Sequence, residues 1–223
     1  DNNIVIGNGA TSNLSTGTNN IVVGSQAGDL FNSTGNTIMG YQTCDGGNNL
    51  GYNTVIGYQA GRSLNSTTGG QATNNIIIGN GAEPTSSTTA NEITLGNTSI
   101  GTLRCGTTAI ASISDRRDKT EIKDLDYGLD FVNSLRPVQF KWKVRELTES
   151  DKNCAKNDTV RAGFIAQELQ ESMPNGENNI LDLVSEQNPE RLEIKQSNLI
   201  PMMVKAIQEL QAKVSELENK LNN

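Results

Sequence analysis

The sequence predicts a mainly β repeat shaft, a trimeric β-solenoid, followed by a small α+β domain that ends in a coiled-coil helix. Three observations support this fold class. A glycine-centred repeat fills the first half, the charges are concentrated in the second half, and a heptad pattern of apolar residues closes the chain. We therefore expect three regions, with bounds at 1–113, 114–197 and 198–223.

The first half contains six gap-free copies of one short motif. Its copies are NNIVIGNGA (2–10), NNIVVGSQAG (19–28), NTIMGYQTC (36–44), NTVIGYQAG (53–61), NNIIIGNGA (74–82) and NEITLGNTS (91–99). Their central glycines are spaced 17, 16, 17, 22 and 17 residues apart, and the residue before each glycine is always apolar. Each copy therefore predicts a short strand followed by a glycine turn. Such strands must stack on one another to bury their apolar face.

Stacked turns of this length hold one or two short strands each. That is thin for a single chain to enclose a core, so we expect three identical chains, each contributing one wall. A single-chain β-helix is the alternative. The segments NTVIGYQAG and NNIVVGSQAG resemble the head repeats of trimeric autotransporter adhesins and the β-solenoid shafts of phage and viral tail fibres.

Charge separates the two halves of the chain. Residues 1–113 carry five acidic and two basic side chains, whereas residues 114–223 carry twenty acidic and sixteen basic ones. The net charge of −7 leaves no basic stripe for phosphates, so no nucleic-acid partner is expected. No apolar run is long enough to cross a membrane, so no membrane insertion is expected. Asp1 is not a natural start, so further sequence is expected ahead of it.

Residue types also limit the chemistry. The chain contains no histidine, which excludes histidine-based triads and histidine-ligated metals. Its three cysteines are scattered without a metal-binding spacing, so we interpret them as reduced, incidental thiols; they are Cys44, Cys105 and Cys154. No cofactor and no metal site is predicted.

The charged half predicts a mixed α+β domain. Apolar residues at helical spacing predict a helix over 122–135, which Arg136-Pro137 ends. Strict alternation predicts a half-buried strand over 138–144. The following elements are a polar hairpin or loop (145–159), a strand turning into a short helix (160–169) that ends at Met173-Pro174, and strands near Leu181–Val184 and Arg191–Ile194.

The C-terminus carries the clearest periodicity. Apolar residues alternate three and four apart over three heptads: Ile200, Met203, Ile207, Leu210, Val214, Leu217 and Leu221. This spacing favours a coiled coil over a helix that packs within one domain. Ser197 or Asn198 is placed to cap the helix, and Pro201 falls in its first turn. We expect its oligomeric state to match that of the shaft, hence three.

At the seam between the halves lies Ile113-Ser114-Asp115-Arg116-Arg117-Asp118-Lys119. It supplies a hydroxyl nucleophile, Ser114, and five residues later an amine that can serve as its base, Lys119. A serine needs such a base, and a lysine acts as one only when desolvation or nearby cations lower its pKa. Taken alone this spacing is a weak signal, because an exposed polar turn contains the same residues.

Three segments then establish a family resemblance. They are SDRRDKTEIKDLDYGLDFVNSLRPVQFKWK (114–143), RAGFIAQELQESMP (161–174) and LIPMMVKAIQELQAKVSELENKL (199–221). In this order they resemble the C-terminal intramolecular chaperone domain of endosialidases and tail fibres, peptidase family S74. The resemblance implies a homotrimer whose chaperone part folds the upstream β-solenoid and then releases itself.

The resemblance also implies residue roles. The scissile bond is Ile113–Ser114, the nucleophile is Ser114 and the general base is Lys119. The activity is a single-turnover self-cleaving serine endopeptidase with no turnover on external substrates. The shaft would belong to a virion fibre that attaches to a host receptor, glycan or protein, while the chaperone part is released in the host cytoplasm.

Other functions remain open at this point. A trimeric cell-surface adhesin without processing would leave Ser114 and Lys119 in a plain turn. A membrane-anchored transcription factor that uses the same domain is disfavoured by the glycine-centred solenoid and by the lack of a basic surface. Polysaccharide hydrolysis is disfavoured because no recognisable pair of carboxylates lies in the shaft.

Overall fold

The computed structural model describes residues 2–12, 16–28, 32–46, 48–65, 71–106, 111–142, 159–173 and 178–222. It separates into two compact units. One contains the repeats up to Leu103, and we call it the shaft. The other begins at Arg104 and includes the C-terminal helix, and we call it the C-terminal unit.

The shaft is a parallel β-solenoid. Its six strands pair in sequence order and are β1 Ile4–Ile6, β2 Ile21–Val23, β3 Thr37–Met39, β4 Thr54–Ile56, β5 Ile76–Ile78 and β6 Ile93–Leu95. Each strand directly precedes a repeat glycine, and equivalent repeat positions are paired, for example Val22 with Ile38. A second column of parallel bridges links Thr18, Thr34, Gly51, Thr73 and Ala90. The predicted repeat and its alignment are confirmed.

A single chain encloses the core of this solenoid. The middle residues of β2 to β5 are fully buried, namely Val22, Ile38, Val55 and Ile77. Alanines that follow the strands pack into the same cluster, together with Leu50 and Leu64. The expectation that one chain is too thin to enclose a core is therefore wrong. The second column of bridges forms another wall, and a polar column fills the space that apolar side chains leave.

That polar column is an asparagine ladder formed by Asn3, Asn20, Asn36, Asn53 and Asn75. The backbone N–H and the Nδ2 of each later asparagine donate to the Oδ1 of the one before, as Asn53 does to Asn36 (both 3.0 Å). The Nδ2 also donates to a backbone carbonyl, that of Ala72 for Asn53 (2.8 Å). Since Asn20, Asn36, Asn53 and Asn75 are buried, each of their hydrogen bonds avoids the cost of an unpaired polar group.

The repeat glycines are required by close stacking of the turns. Gly24 has φ +146°, and a Cβ there would lie 2.1 Å from the carbonyl oxygen of Gly40. Both the backbone angle and the contact exclude a side chain. The same contact with the next repeat glycine explains the glycine after each of β1 to β5, whereas a Cβ at Gly96, after β6, would meet the Ile100 side chain.

The C-terminal unit mixes short helices and two-stranded sheets. Its elements are a 3-10 helix Arg116–Asp118, α1 Leu129–Ser134, β7 Val138–Phe140, β8 Arg161–Gly163, α2 Ala166–Ser172, α3 Asn178–Leu181, β9 Val184–Ser185, β10 Glu193–Ile194, a 3-10 helix Gln196–Asn198 and α4 Leu199–Leu221. β7 pairs antiparallel with β8, and β9 with β10. The core includes Phe131, Leu169, Leu183, Leu199 and Met202.

Several predicted bounds change. The helix expected over 122–135 is wrong in its first half, because only Leu129–Ser134 is helical. Gly128 precedes this helix, and a carboxylate from α4 accepts the hydrogen bond of its first amide. Leu181 ends a helix rather than starting a strand. The strand over 138–144 ends at Phe140. The loop predicted over 145–159 lies outside the described residues except for its last position.

Candidate functional site: a serine and a lysine in one exposed turn

The turn after Ile113 is shaped by its own charged residues. Asp115 is the cap of the 3-10 helix, and its Oδ1 accepts from the backbone N–H of Arg117 (2.8 Å). The Arg117 guanidinium also donates to both oxygens of that carboxylate, at 3.1 and 2.6 Å. The helix ends when the N–H of Lys119 donates to the carbonyl of Arg116 (3.2 Å). One tight turn therefore lies between Ser114 and Lys119.

This turn brings the two predicted site residues together. The Nζ of Lys119 donates to the Oγ of Ser114 at 2.7 Å. That distance is within the range in which an amine and a hydroxyl exchange a proton. The carbonyl that Ser114 would attack belongs to the preceding residue, so the predicted nucleophile, the predicted base and the predicted scissile bond lie in one short segment.

The carboxylate of Asp115 pairs with Arg117 and not with Lys119. The hydrogen bonds from Arg117 lower the pKa of Asp115, so this carboxylate is ionised and bound to a cation. Among the described residues, none of the ion pairs includes Lys119. The sequence had left open whether Asp115 or Asp118 would contact it. Asp115 instead makes a bidentate ion pair with Arg117.

The segment is open to solvent within a single chain. Ile113 is 88% exposed, and residues 111–124 are all exposed. Water therefore surrounds Ser114, Lys119 and the peptide bond ahead of Ser114. An arrangement of this kind has the groups for acyl transfer but lacks the low-dielectric surroundings in which a lysine becomes an effective base.

Helix α4 presents two different faces. One face packs into the core of the C-terminal unit through Leu199, Met202 and Ala206, and against α1. The other, which we call the heptad face, consists of Ile200, Met203, Ile207, Leu210, Val214, Leu217 and Leu221, all exposed. The heptad spacing predicted this second face, but the sequence reasoning missed the first. The three buried residues of the first face each lie one position before a heptad residue.

A carboxylate on α4 also holds α1 in place. Glu209 Oε2 accepts from the backbone N–H of Leu129 (2.7 Å), and its other oxygen lies 3.7 Å from Lys205 Nζ. The sequence reasoning missed this contact because the two partners are eighty residues apart. An adjacent surface cavity of about 320 Å³ is lined by Asp126, Asp130 and Glu209, among others. In the part of the chain that the structure describes, no cluster suits a metal ion.

The helices in the described ranges include none that is both long and apolar enough to cross a membrane.

Comparison with known proteins gives one family. Residues 114–176 match the model of the family described as chaperone of endosialidase. No curated protein and no solved structure gives a significant match to the chain. After its β-solenoid, the chain therefore contains a stretch that begins at Ser114 and is similar to the chaperone-of-endosialidase family over 63 of the 223 residues.

Proposed function

We propose that the chain from Ser114 onwards is an intramolecular chaperone that assembles three copies of the shaft and then cuts itself off. In this proposal residues 114–197 form the chaperone domain and 198–223 its coiled-coil helix. The family match supports the chaperone role. The single observation that carries the cutting step is the 2.7 Å hydrogen bond between Lys119 Nζ and Ser114 Oγ.

The proposed reaction is an N-to-O acyl shift followed by hydrolysis. Lys119, as a neutral amine, takes the proton from the Ser114 hydroxyl, and Oγ attacks the carbonyl carbon of Ile113. The bond from this carbon to the Ser114 nitrogen then breaks, and the nitrogen receives the proton. Water cleaves the resulting ester, leaving a carboxylate on Ile113 and a free amine on Ser114. Tethering makes a single turnover feasible with modest catalysis.

Trimer assembly supplies what a single chain lacks. A lysine amine accepts a proton only in its neutral form, and removal from water favours that form. Within one chain both groups are exposed, so we propose that neighbouring copies cover the turn. Cutting would then follow assembly rather than precede it.

The heptad face supports a coiled coil between copies. Its seven apolar side chains are 40–86% exposed in the single chain. Burial of an exposed leucine or isoleucine contributes about 1.5–3 kcal/mol. Three such helices side by side would bury these residues together.

The shaft has a matching apolar surface. The outer residues of its strands point away from the core, and we call them the outer strand face; exposed members are Ile4, Ile6, Ile21, Met39, Ile76, Ile78, Ile93 and Leu95. An apolar surface of this length is unusual on a monomer and marks an interaction surface. In the proposal the other two copies cover it.

The assembled shaft would be part of a virion tail fibre or surface fibre that attaches to a host receptor, glycan or protein. The chaperone part would be released in the host cytoplasm after assembly. Trimers of parallel chains assemble slowly and are prone to aggregation, because three copies must come together in one register. A removable trimerisation domain that sets the register addresses this problem, and its loss leaves the product kinetically trapped.

Intact mass spectrometry and a denaturing gel test the cutting step. Wild type should yield two pieces, the second beginning at Ser114, while Ser114→Ala and Lys119→Ala should remain whole. Ser112→Ala and Lys123→Ala are matched controls on the same exposed segment and should be cut normally. A whole wild-type chain that nevertheless forms trimers would favour the alternative, an unprocessed trimeric adhesin.

Mixed trimers test whether the dyad acts within one chain. The observed hydrogen bond joins two residues of the same chain. Refolding Ser114→Ala chains together with Lys119→Ala chains should therefore restore no cutting. Cutting in the mixed trimers would place the base on a neighbouring copy and contradict the intrachain dyad.

A further inference from the structure

The carboxylate of Asp115 competes with Ser114 for the same amine. Asp115 directly follows Ser114 in the chain, and Lys119 Nζ already reaches back across the turn to Ser114 Oγ at 2.7 Å. An ammonium group binds a carboxylate more strongly than a hydroxyl because both partners are charged. Such an ion pair would take Lys119 away from Ser114 and favour the charged amine, which cannot accept a proton.

Arg117 occupies this carboxylate through both of its oxygens. Its Nε donates to Asp115 Oδ1 at 3.1 Å and its Nη2 to Oδ2 at 2.6 Å, while its backbone N–H donates to Oδ1 at 2.8 Å. The planar guanidinium matches the carboxylate with two parallel hydrogen bonds, a geometry that a lysine ammonium cannot reproduce. Lys119 therefore meets an acceptor that is already bound.

The local structure explains why Arg117 makes this contact and Arg116 does not. Asp115 caps the 3-10 helix by accepting from the Arg117 backbone N–H, which places the start of the Arg117 side chain beside the carboxylate. In the described part of the chain, the side chains of Arg116 and Asp118 take part in none of the ion pairs, although both are exposed in the same helix. These two residues therefore provide matched controls.

We propose that Arg117 is a positioning residue for the cutting step: by holding the Asp115 carboxylate through both oxygens, it leaves Lys119 to Ser114. This role rests on the function proposed above. Arg117 acts through Asp115 and not on the reacting atoms, so its loss slows the reaction without abolishing it.

The test compares the rates at which trimers of the whole chain are cut, followed by intact mass after separation by size. Arg117→Gln releases the Asp115 carboxylate to Lys119. An ion pair between exposed groups changes an equilibrium by up to about fivefold, so cutting should slow by about that factor. Arg116→Gln removes the same charge from the same helix and should be cut at nearly the wild-type rate.

A second substitution separates competition from damage to the turn. Asp115→Asn added to Arg117→Gln should restore the wild-type rate, because asparagine keeps the oxygen that caps the helix but carries no charge. Asp118→Asn added to Arg117→Gln should leave the chain slow, since Asp118 is not the carboxylate that Arg117 holds. A turn that had merely lost its shape would gain nothing from either change.

Three outcomes would overturn the role of Arg117 while leaving the proposed cutting step intact. They are wild-type cutting of Arg117→Gln, equal slowing by Arg116→Gln, and a slow double variant that Asp115→Asn does not restore. A wild-type trimer that is never cut would instead overturn the proposed function, and the role of Arg117 with it.

Discussion

The shaft and the C-terminal unit differ in whether their most regular side-chain patterns are buried within one chain. In the shaft, the polar side chains of the ladder and the middle residues of the strands find partners in neighbouring turns of the same chain. In the C-terminal unit, the most regular apolar pattern of the sequence, the heptad face of α4, is exposed. The core of the shaft is therefore complete within one chain, whereas the heptad face, like the outer strand face of the shaft, is exposed within one chain.

The largest expected effect comes from a charge on the heptad face. Ile207→Asp would bury an unpaired carboxylate in the proposed coiled coil, at a cost of about 3–5 kcal/mol per chain. Light scattering should report monomers, and cutting at Ser114 should stop. Gln208→Asp, one position along α4 and outside the heptad face, is the control and should remain trimeric. Trimers of Ile207→Asp would show that α4 does not assemble the copies.

The second largest effect is expected from a side chain at one of the repeat glycines of the shaft. Gly24→Ala forces a Cβ to within 2.1 Å of the Gly40 carbonyl oxygen at a positive φ, which costs about 3 kcal/mol or more. Gly46→Ala is a matched control, because Gly46 has φ +105° but open space around it. Thermal unfolding followed by circular dichroism should show a much larger drop in melting temperature for Gly24→Ala than for Gly46→Ala. Equal drops would mean that backbone strain, and not turn stacking, sets the requirement.

Breaking the asparagine ladder in its middle should weaken the shaft somewhat less. Asn53→Leu leaves the backbone N–H and Nδ2 of Asn75 without their acceptor, at about 2–4 kcal/mol in total. Ser25→Ala removes only an exposed hydrogen bond to the Asn8 carbonyl (3.2 Å) and should be nearly neutral. Denaturant unfolding in the Ser114→Ala background compares them. A neutral Asn53→Leu would show that apolar packing alone holds the turns.

The smallest effect concerns the pH dependence of the last turn of the shaft, which contains Glu92. Partial burial raises the pKa of Glu92, but hydrogen bonds from Thr85, Thr94 and Thr89 outweigh it and lower the pKa from its ordinary 4.5. A carboxyl with a lowered folded-state pKa stabilises the fold above pH 4.5, and this contribution is lost as pH falls through the folded-state value.

Wild-type shaft should therefore lose more stability than Glu92→Gln between about pH 6 and pH 3. Melting midpoints measured across that range provide the comparison. Parallel curves for the two proteins would mean that the Glu92 carboxylate does not stabilise the last turn.

Much of this contrast is readable from the sequence, but not all of it. The glycine repeat predicted the strand positions because the glycines after β1 to β5 make the same close contact with the next turn, and the heptads predicted α4. The asparagine ladder was missed because Asn3 and its equivalents look like ordinary turn residues, and their pairing exists only across turns. The capping of α1 by Glu209 and the short α1 depend on contacts between distant segments, which local periodicity does not contain.

Both the sequence and the structure were needed to place Ser114 next to Lys119. The residue types and the family resemblance pointed to the pair. The turn that brings Nζ to within 2.7 Å of Oγ depends on Asp115 capping the 3-10 helix and binding Arg117. Their catalytic roles stay a prediction.

The most direct test separates trimers from monomers by size and records the intact mass of each fraction over time. We predict that the trimer fraction accumulates a fragment beginning at Ser114 with the mass of one water added across the two products, while the monomer fraction stays whole. Trimers that stay uncut, or monomers that are cut equally fast, would contradict the claim that assembly switches on cleavage before Ser114.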